Sequence, residues 1–169
     1  MRNTYLWTIA IVVFLFSSCS GNKQNNESTK NEKMNISVEK DSYRPGEKDA
    51  LIVLKAYADK DLETLKAYAG GAQKMVLDET YFKDNSNVKG FREKISNWDG
   101  AFKEIRYYED EINFQKFVYA VAAFYESPSG QITAVELKST DKNEWKMAGF
   151  GTKYVNKVDF EELSTELPE

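Results

Sequence analysis

Histidine is absent from these 169 residues. That omission removes Ser-His-Asp and Cys-His nucleophile systems, His-bearing metal sites and the usual proton shuttle near neutral pH. Cysteine occurs once, at Cys19, so no disulfide can form within the chain. There is no run of Lys and Arg, and the formal net charge is −4. Nucleic acid binding is disfavoured, because neutralising phosphates needs clustered cations. A long apolar stretch is missing too: Leu6 to Phe16, broken only by Thr8, covers about half of the ~20 residues that an α-helix needs to cross a bilayer, which makes a permanent span the weaker reading.

The positive start of Met1 and Arg2, the short apolar run and the small residues that follow it together make a secretory signal. Phe16-Ser17-Ser18-Cys19 resembles the bacterial lipobox, with Phe16 standing where Leu is usual. The competing readings are an ordinary signal peptide with an incidental cysteine, or a buried thiol in a cytoplasmic protein. The resemblance implies that residues 1–18 are a lipoprotein signal peptide and that Cys19 is acylated. Each buried methylene contributes ~0.8 kcal/mol, so a multiply acylated cysteine would hold the protein durably on a membrane. Residues 19–43 are rich in Asn, Lys, Glu and Ser and read as a flexible tether that buries too little surface to offset ordering. Within it Met34, Ile36 and Val38 alternate in the manner of a short edge strand. No acidic cluster of the kind that resembles surface-export signals follows Cys19, so the expected location is the bacterial cell envelope, lipid-anchored and facing the periplasm.

Residues 44–156 have the length of one domain, and their hydrophobic period changes once. Leu51, Leu54, Tyr57 and Ala58 fall at helical spacing, with Val53 filling the same face. Asp61 is placed to cap a second helix carrying Leu62, Leu65 and Tyr68, which Gly70-Gly71 should end. Short helices are expected over 72–77 and 88–98. From residue 101 the period becomes two, predicting four strands joined by short turns in an antiparallel meander. The second strand is apolar on both faces and should be central. Gly149 and Gly151, two apart in the last strand, permit a bend or a close approach. The predicted class is α+β, with N-terminal helices packed on a curved, cone-like four-stranded antiparallel sheet. Residues 157–169 read as an acidic tail, solvated or forming a short helix.

The helical start "ALIVLKAYADKDLETLKAYA", further helix and a long curved meander resemble the nuclear transport factor 2-like superfamily, which includes SnoaL-like proteins and ketosteroid isomerase; cystatin-like domains share the same outline. In bacterial lipoprotein domains of that kind a "GD"-like turn joins the first two helices. Here Asp59-Lys60-Asp61 occupies it, without the glycine. The resemblance implies a pocket between helices and sheet for a small apolar ligand. Its candidate lining is Tyr57, Trp98, Tyr107, Tyr119 and Trp145, and the competing reading is that these aromatics fill the core.

No catalytic or metal-binding residue is assigned, and no cofactor is implied. Asp78, Glu79, Asp84 and Asn85 lack the spacing of a calcium loop. The favoured function is a non-catalytic envelope lipoprotein whose domain binds a small ligand, a peptide or an envelope protein. The alternative is a small isomerase or dehydratase in which Asp99, with Tyr57 or Tyr107, forms an Asp/Tyr pair. Glu109 and Glu111 share a strand face about 7 Å apart, as paired carboxylates do and as solvent-facing acids also do. Tyr108, Ile112 and Phe114 alternate and are candidates for a homodimer patch.

Overall fold

A computed structural model describes residues 42–83 and 85–169. The signal peptide, Cys19, the tether up to residue 41 and Asp84 lie outside the described residues. Helix α1 (Glu47–Asp59) starts at Gly46, whose φ of 75° belongs to the left-handed region. Glycine is required there on a second count, since a Cβ would stand 3.0 Å from the Ala120 Cβ and 3.3 Å from the Trp145 ring. Ala50, Val53, Leu54 and Tyr57 form the buried stripe of α1, and Leu51 and Ala58 lie at its half-buried margins. Burying one such side chain contributes about 1.5–3 kcal/mol.

Asp61 caps α2 (Leu62–Tyr68) as its position predicts: its carboxylate accepts the Thr64 backbone N–H at 3.0 Å and the Thr64 hydroxyl at 2.6 Å. The two glycines that follow do not close α2 in a left-handed turn. Ala69 and Gly70 are extended, and Gly71 opens α3 (Gly71–Val76), with the Gln73 Oε1 accepting the Gly70 N–H at 2.8 Å. Helix α4 (Ser86–Ser96) is capped by Asn85 and buries Val88, Phe91 and Ile95.

Strands β1 (Glu104–Ile112), β2 (Gln115–Glu126), β3 (Gln131–Ser139) and β4 (Lys146–Asn156) pair in sequence order as an open antiparallel sheet. One face, with Ile105, Tyr107, Val118, Ala120, Ala122, Phe124, Val135, Leu137 and Met147, packs with side chains of α1, α2, α4 and the α3–α4 connection in the main core. The other face carries a smaller cluster of Val121, Ala123, Ile132, Ala134 and Val155, covered by Phe160 of α5 (Lys157–Glu161). Helices therefore pack against a four-stranded antiparallel sheet in an α+β arrangement, and β2 is buried on both sides.

Two irregularities bend the ladder. One residue, Phe124, is inserted between the Ala123–Ala134 and Tyr125–Thr133 pairs. The larger one lies on β4, where Val135 pairs with Thr152 but Leu137 pairs with Met147, so that residues 148–151 stand opposite Glu136 alone. Gly149 and Gly151, at φ 67° and 73°, make this excursion sterically accessible.

After α5 the chain does not float free. The Arg106 guanidinium donates to the carbonyls of Glu161 and Leu163, both at 2.9 Å. Ser164 bridges the outer edge of β1 at Tyr107 through bonds of 2.7 and 3.0 Å. Leu167 packs on the helix-side core, and the Lys142 ammonium reaches the Pro168 carbonyl at 2.6 Å. The terminal segment is thus a short helix followed by a strap, because Phe160, Leu163 and Leu167 give a largely polar stretch three apolar anchors.

Candidate functional site

The β4 excursion creates the site. Held between the two left-handed glycines, Phe150 turns its carbonyl to the buried Tyr57 hydroxyl of α1, which donates to it. Phe150 is 42% exposed, and its ring lies 6.0 Å from that of Tyr81, a residue of the α3–α4 connection. The Tyr57 and Tyr81 oxygens are 3.2 Å apart, and the Phe91 ring of α4 meets Tyr57 edge-on at 5.2 Å. Between α4 and β4 these side chains enclose a cavity of about 230 Å³, completed by Asn85, Asn87 and Val88 on one side and by Thr152 and Tyr154 on the other. A neighbouring hollow of about 380 Å³ shares Tyr81, Asn85 and Phe150 with it.

The electrostatics of the cavity are those of neutral dipoles. Burial raises the Tyr57 hydroxyl far above the ordinary tyrosine value, reinforced by its Tyr81 neighbour. Burial is also the main cause that raises Tyr81. Both phenols therefore keep their protons at neutral pH. Among the described residues no acidic or basic side chain lines the cavity. The nearby cations have other engagements: Arg92 donates to the Tyr57 and Ala58 carbonyls, both at 3.0 Å, and the Lys94 ammonium lies 4.4 Å from the Tyr154 ring centre and donates to the Thr133 hydroxyl at 3.3 Å.

The five aromatics expected from the sequence to line a pocket occupy separate places. Tyr57 lies on the α4–β4 cavity. Trp145 packs over Gly46 and borders a different hollow of about 420 Å³, beside Tyr68, whose hydroxyl donates to Asp49 at 2.8 Å. Tyr107 is buried in the main core and donates to the Pro45 carbonyl at 3.0 Å. Trp98 packs against Phe102 and Phe124 and donates to the Ala101 carbonyl at 2.6 Å. Tyr119 is on the opposite sheet face, stacked on Tyr108 at 4.5 Å, where the Tyr108 hydroxyl donates to Glu136 at 2.7 Å.

Asp99 is exposed, and its carboxylate accepts the Ala101 N–H at 3.0 Å. Glu109 and Glu111 are exposed on β1. Of the dimer-patch candidates, Tyr108 is half-buried in its stack, whereas Ile112 is 43% and Phe114 is 99% exposed at the β1–β2 turn. Among the described residues no helix is long and apolar enough to cross a membrane, and no group of three or more His, Cys, Asp or Glu side chains is placed to hold a metal.

Sequence reasoning missed Tyr81, Asn85, Phe91, Phe150 and Tyr154. A signal existed for Phe150 alone: Gly149 and Gly151 bracket it, and an aromatic between two glycines in a strand marks a bulge that re-aims a side chain.

The chain matches no family model, no curated protein and no solved structure. The α+β architecture accordingly rests on the structure, and the site on its own geometry.

Proposed function

We propose that this chain is an envelope lipoprotein, moored through an acylated Cys19 and facing the periplasm, whose nuclear transport factor 2-like domain captures a small ligand in the α4–β4 cavity without transforming it. The observation that carries the reading is the cavity itself: aromatic walls from Tyr57, Tyr81, Phe150 and Tyr154 surround the Asn85 and Asn87 amides and the Thr152 hydroxyl. Concave, mostly apolar sites with few polar groups are the usual form of a small-molecule site. Capture suits this lining better than catalysis. A proton-transfer enzyme needs a base aimed at the substrate, and the described lining of the cavity offers protonated phenols, neutral amides and the Thr152 hydroxyl.

Native mass spectrometry of the full-length protein, extracted from its host's envelope, tests both parts. The expected spectrum shows acyl mass that Cys19→Ala removes, and a retained small molecule that Thr152→Trp, which fills the cavity, displaces. A wild-type protein bare of any small molecule, or one whose passenger is unaffected by Thr152→Trp, would remove the cavity from the account.

A further inference from the structure

The next step rests on the reading of the α4–β4 cavity as a binding site and concerns what it takes. Tyr57 has one hydroxyl hydrogen, and the Phe150 carbonyl can only accept. That hydrogen goes to Phe150, so the 3.2 Å contact between the tyrosine oxygens is a donation from Tyr81 to Tyr57. With its own hydrogen committed, Tyr81 offers the cavity only lone pairs. Asn85 is the opposite case. Its Oδ1 caps α4 by accepting the N–H groups of Asn87 and Val88 at 3.1 and 3.2 Å, which fixes the direction of the amide and leaves both Nδ2 hydrogens unpartnered among the described residues.

Both residues line one cavity, Tyr81 carrying the acceptor and Asn85 the donor. A hydroxyl group satisfies both, donating to Tyr81 and accepting from Asn85. An ionised ligand would lose hydration without gaining a counter-charge from the described lining residues. The rings of Phe150 and Tyr154 favour a flat or ring-shaped body. A volume of about 230 Å³ falls below the ~300–1,000 Å³ of sites for drug-sized ligands, which suits a single ring.

We infer that the cavity binds a small uncharged ring compound through a hydroxyl group held between Tyr81 and Asn85. Simple phenols and sugars share this chemistry, and titration calorimetry separates them. The full-length protein in lipid nanodiscs is titrated with phenol, methyl β-glucopyranoside, benzoate and toluene, with empty nanodiscs as the blank. At least one of the two hydroxylated probes binds about tenfold or more tightly than benzoate and toluene, and which one does so identifies the source. Asn85→Asp keeps the helix cap but removes the amide donors, and Tyr81→Phe removes the acceptor while leaving the Tyr57–Phe150 bond in place. Each weakens the hydroxylated probe by about fivefold or more, with the folded signal in circular dichroism retained.

Toluene or benzoate binding as tightly as the best hydroxylated probe would overturn the inference, as would unchanged binding in both variants. Silence from both hydroxylated probes would overturn it as well. A passenger still displaced by Thr152→Trp in native mass spectrometry would then preserve the cavity as a site for some other chemistry, whereas its absence would remove the site.

Discussion

Replacing Gly149 and Gly151 separately with alanine isolates the physics that shapes the site. Both residues are left-handed, so both substitutions incur the steric penalty of an L side chain there, about 1–2 kcal/mol, partly offset by about 0.4–1 kcal/mol from a stiffer unfolded chain. For Gly149→Ala that is the whole effect, because a Cβ at this position meets nothing within 4 Å. The expected loss is about 1 kcal/mol. At Gly151 the added Cβ would lie 2.8 Å from the Met147 Sδ and 3.2 Å from the Val53 Cγ1. Both partners are fully buried. The Met147 thioether can swing aside, but β-branched Val53 has little rotameric freedom inside α1, so overpacking of about 1–3 kcal/mol is added. Gly151→Ala should therefore lose about 2–4 kcal/mol in all. Guanidinium denaturation followed by far-ultraviolet circular dichroism measures both values, and equal slopes license the comparison. Gly151→Ala proving no more destabilising than Gly149→Ala would refute the packing account of the β4 excursion.

Three further outcomes follow from other parts of the chain. The two-residue turn between β1 and β2 has both Asn113 and Phe114 at positive φ, the mark of a type I′ turn, so Phe114→Gly should raise stability by about 0.5–1 kcal/mol, seen as a higher Tm; a lower Tm would mean that the exposed ring stabilises the fold. Phe160→Ala opens the cluster beneath α5 and should lose about 3–5 kcal/mol in denaturant titration, far more than an exposed-tail residue would; a loss below about 1 kcal/mol would show that α5 does not hold the strap. Asp61→Ala should lose about 0.5–2 kcal/mol at neutral pH through the lost cap. Hydrogen bonds from the Thr64 hydroxyl and N–H hold the Asp61 carboxyl below its ordinary 3.8, so the wild-type advantage is full above that value and disappears as pH falls through the depressed one; an advantage constant down to the most acid pH would contradict the cap.

Most of the architecture was readable because it depends on local periodicity. The two-sided apolar pattern of β2 marked it as central, and the change of period at residue 101 divided helices from sheet. The site was less legible because it depends on register. Tyr108 pairs with Tyr119, which sends the Tyr119 ring and the neighbouring Tyr107 ring to opposite faces of the sheet. Alternation within each strand is silent on which residue faces which. Likewise, no spacing rule brings Tyr57, Tyr81 and Phe150 together, because the contact requires three residues of β4 beyond a regular ladder. Gly149 and Gly151 were legible as a bend, but what the bend delivers depends on α1 and on the α3–α4 connection.

Hydrogen–deuterium exchange read by mass spectrometry asks most directly whether the α4–β4 cavity captures a ligand. Full-length protein in nanodiscs is compared with and without the small-molecule extract of its host's envelope. Slower exchange is predicted around Tyr81–Phe91 and Gly149–Tyr154, and Thr152→Trp should abolish it. Protection confined to the Tyr68–Trp145 hollow, or none anywhere, would contradict the account.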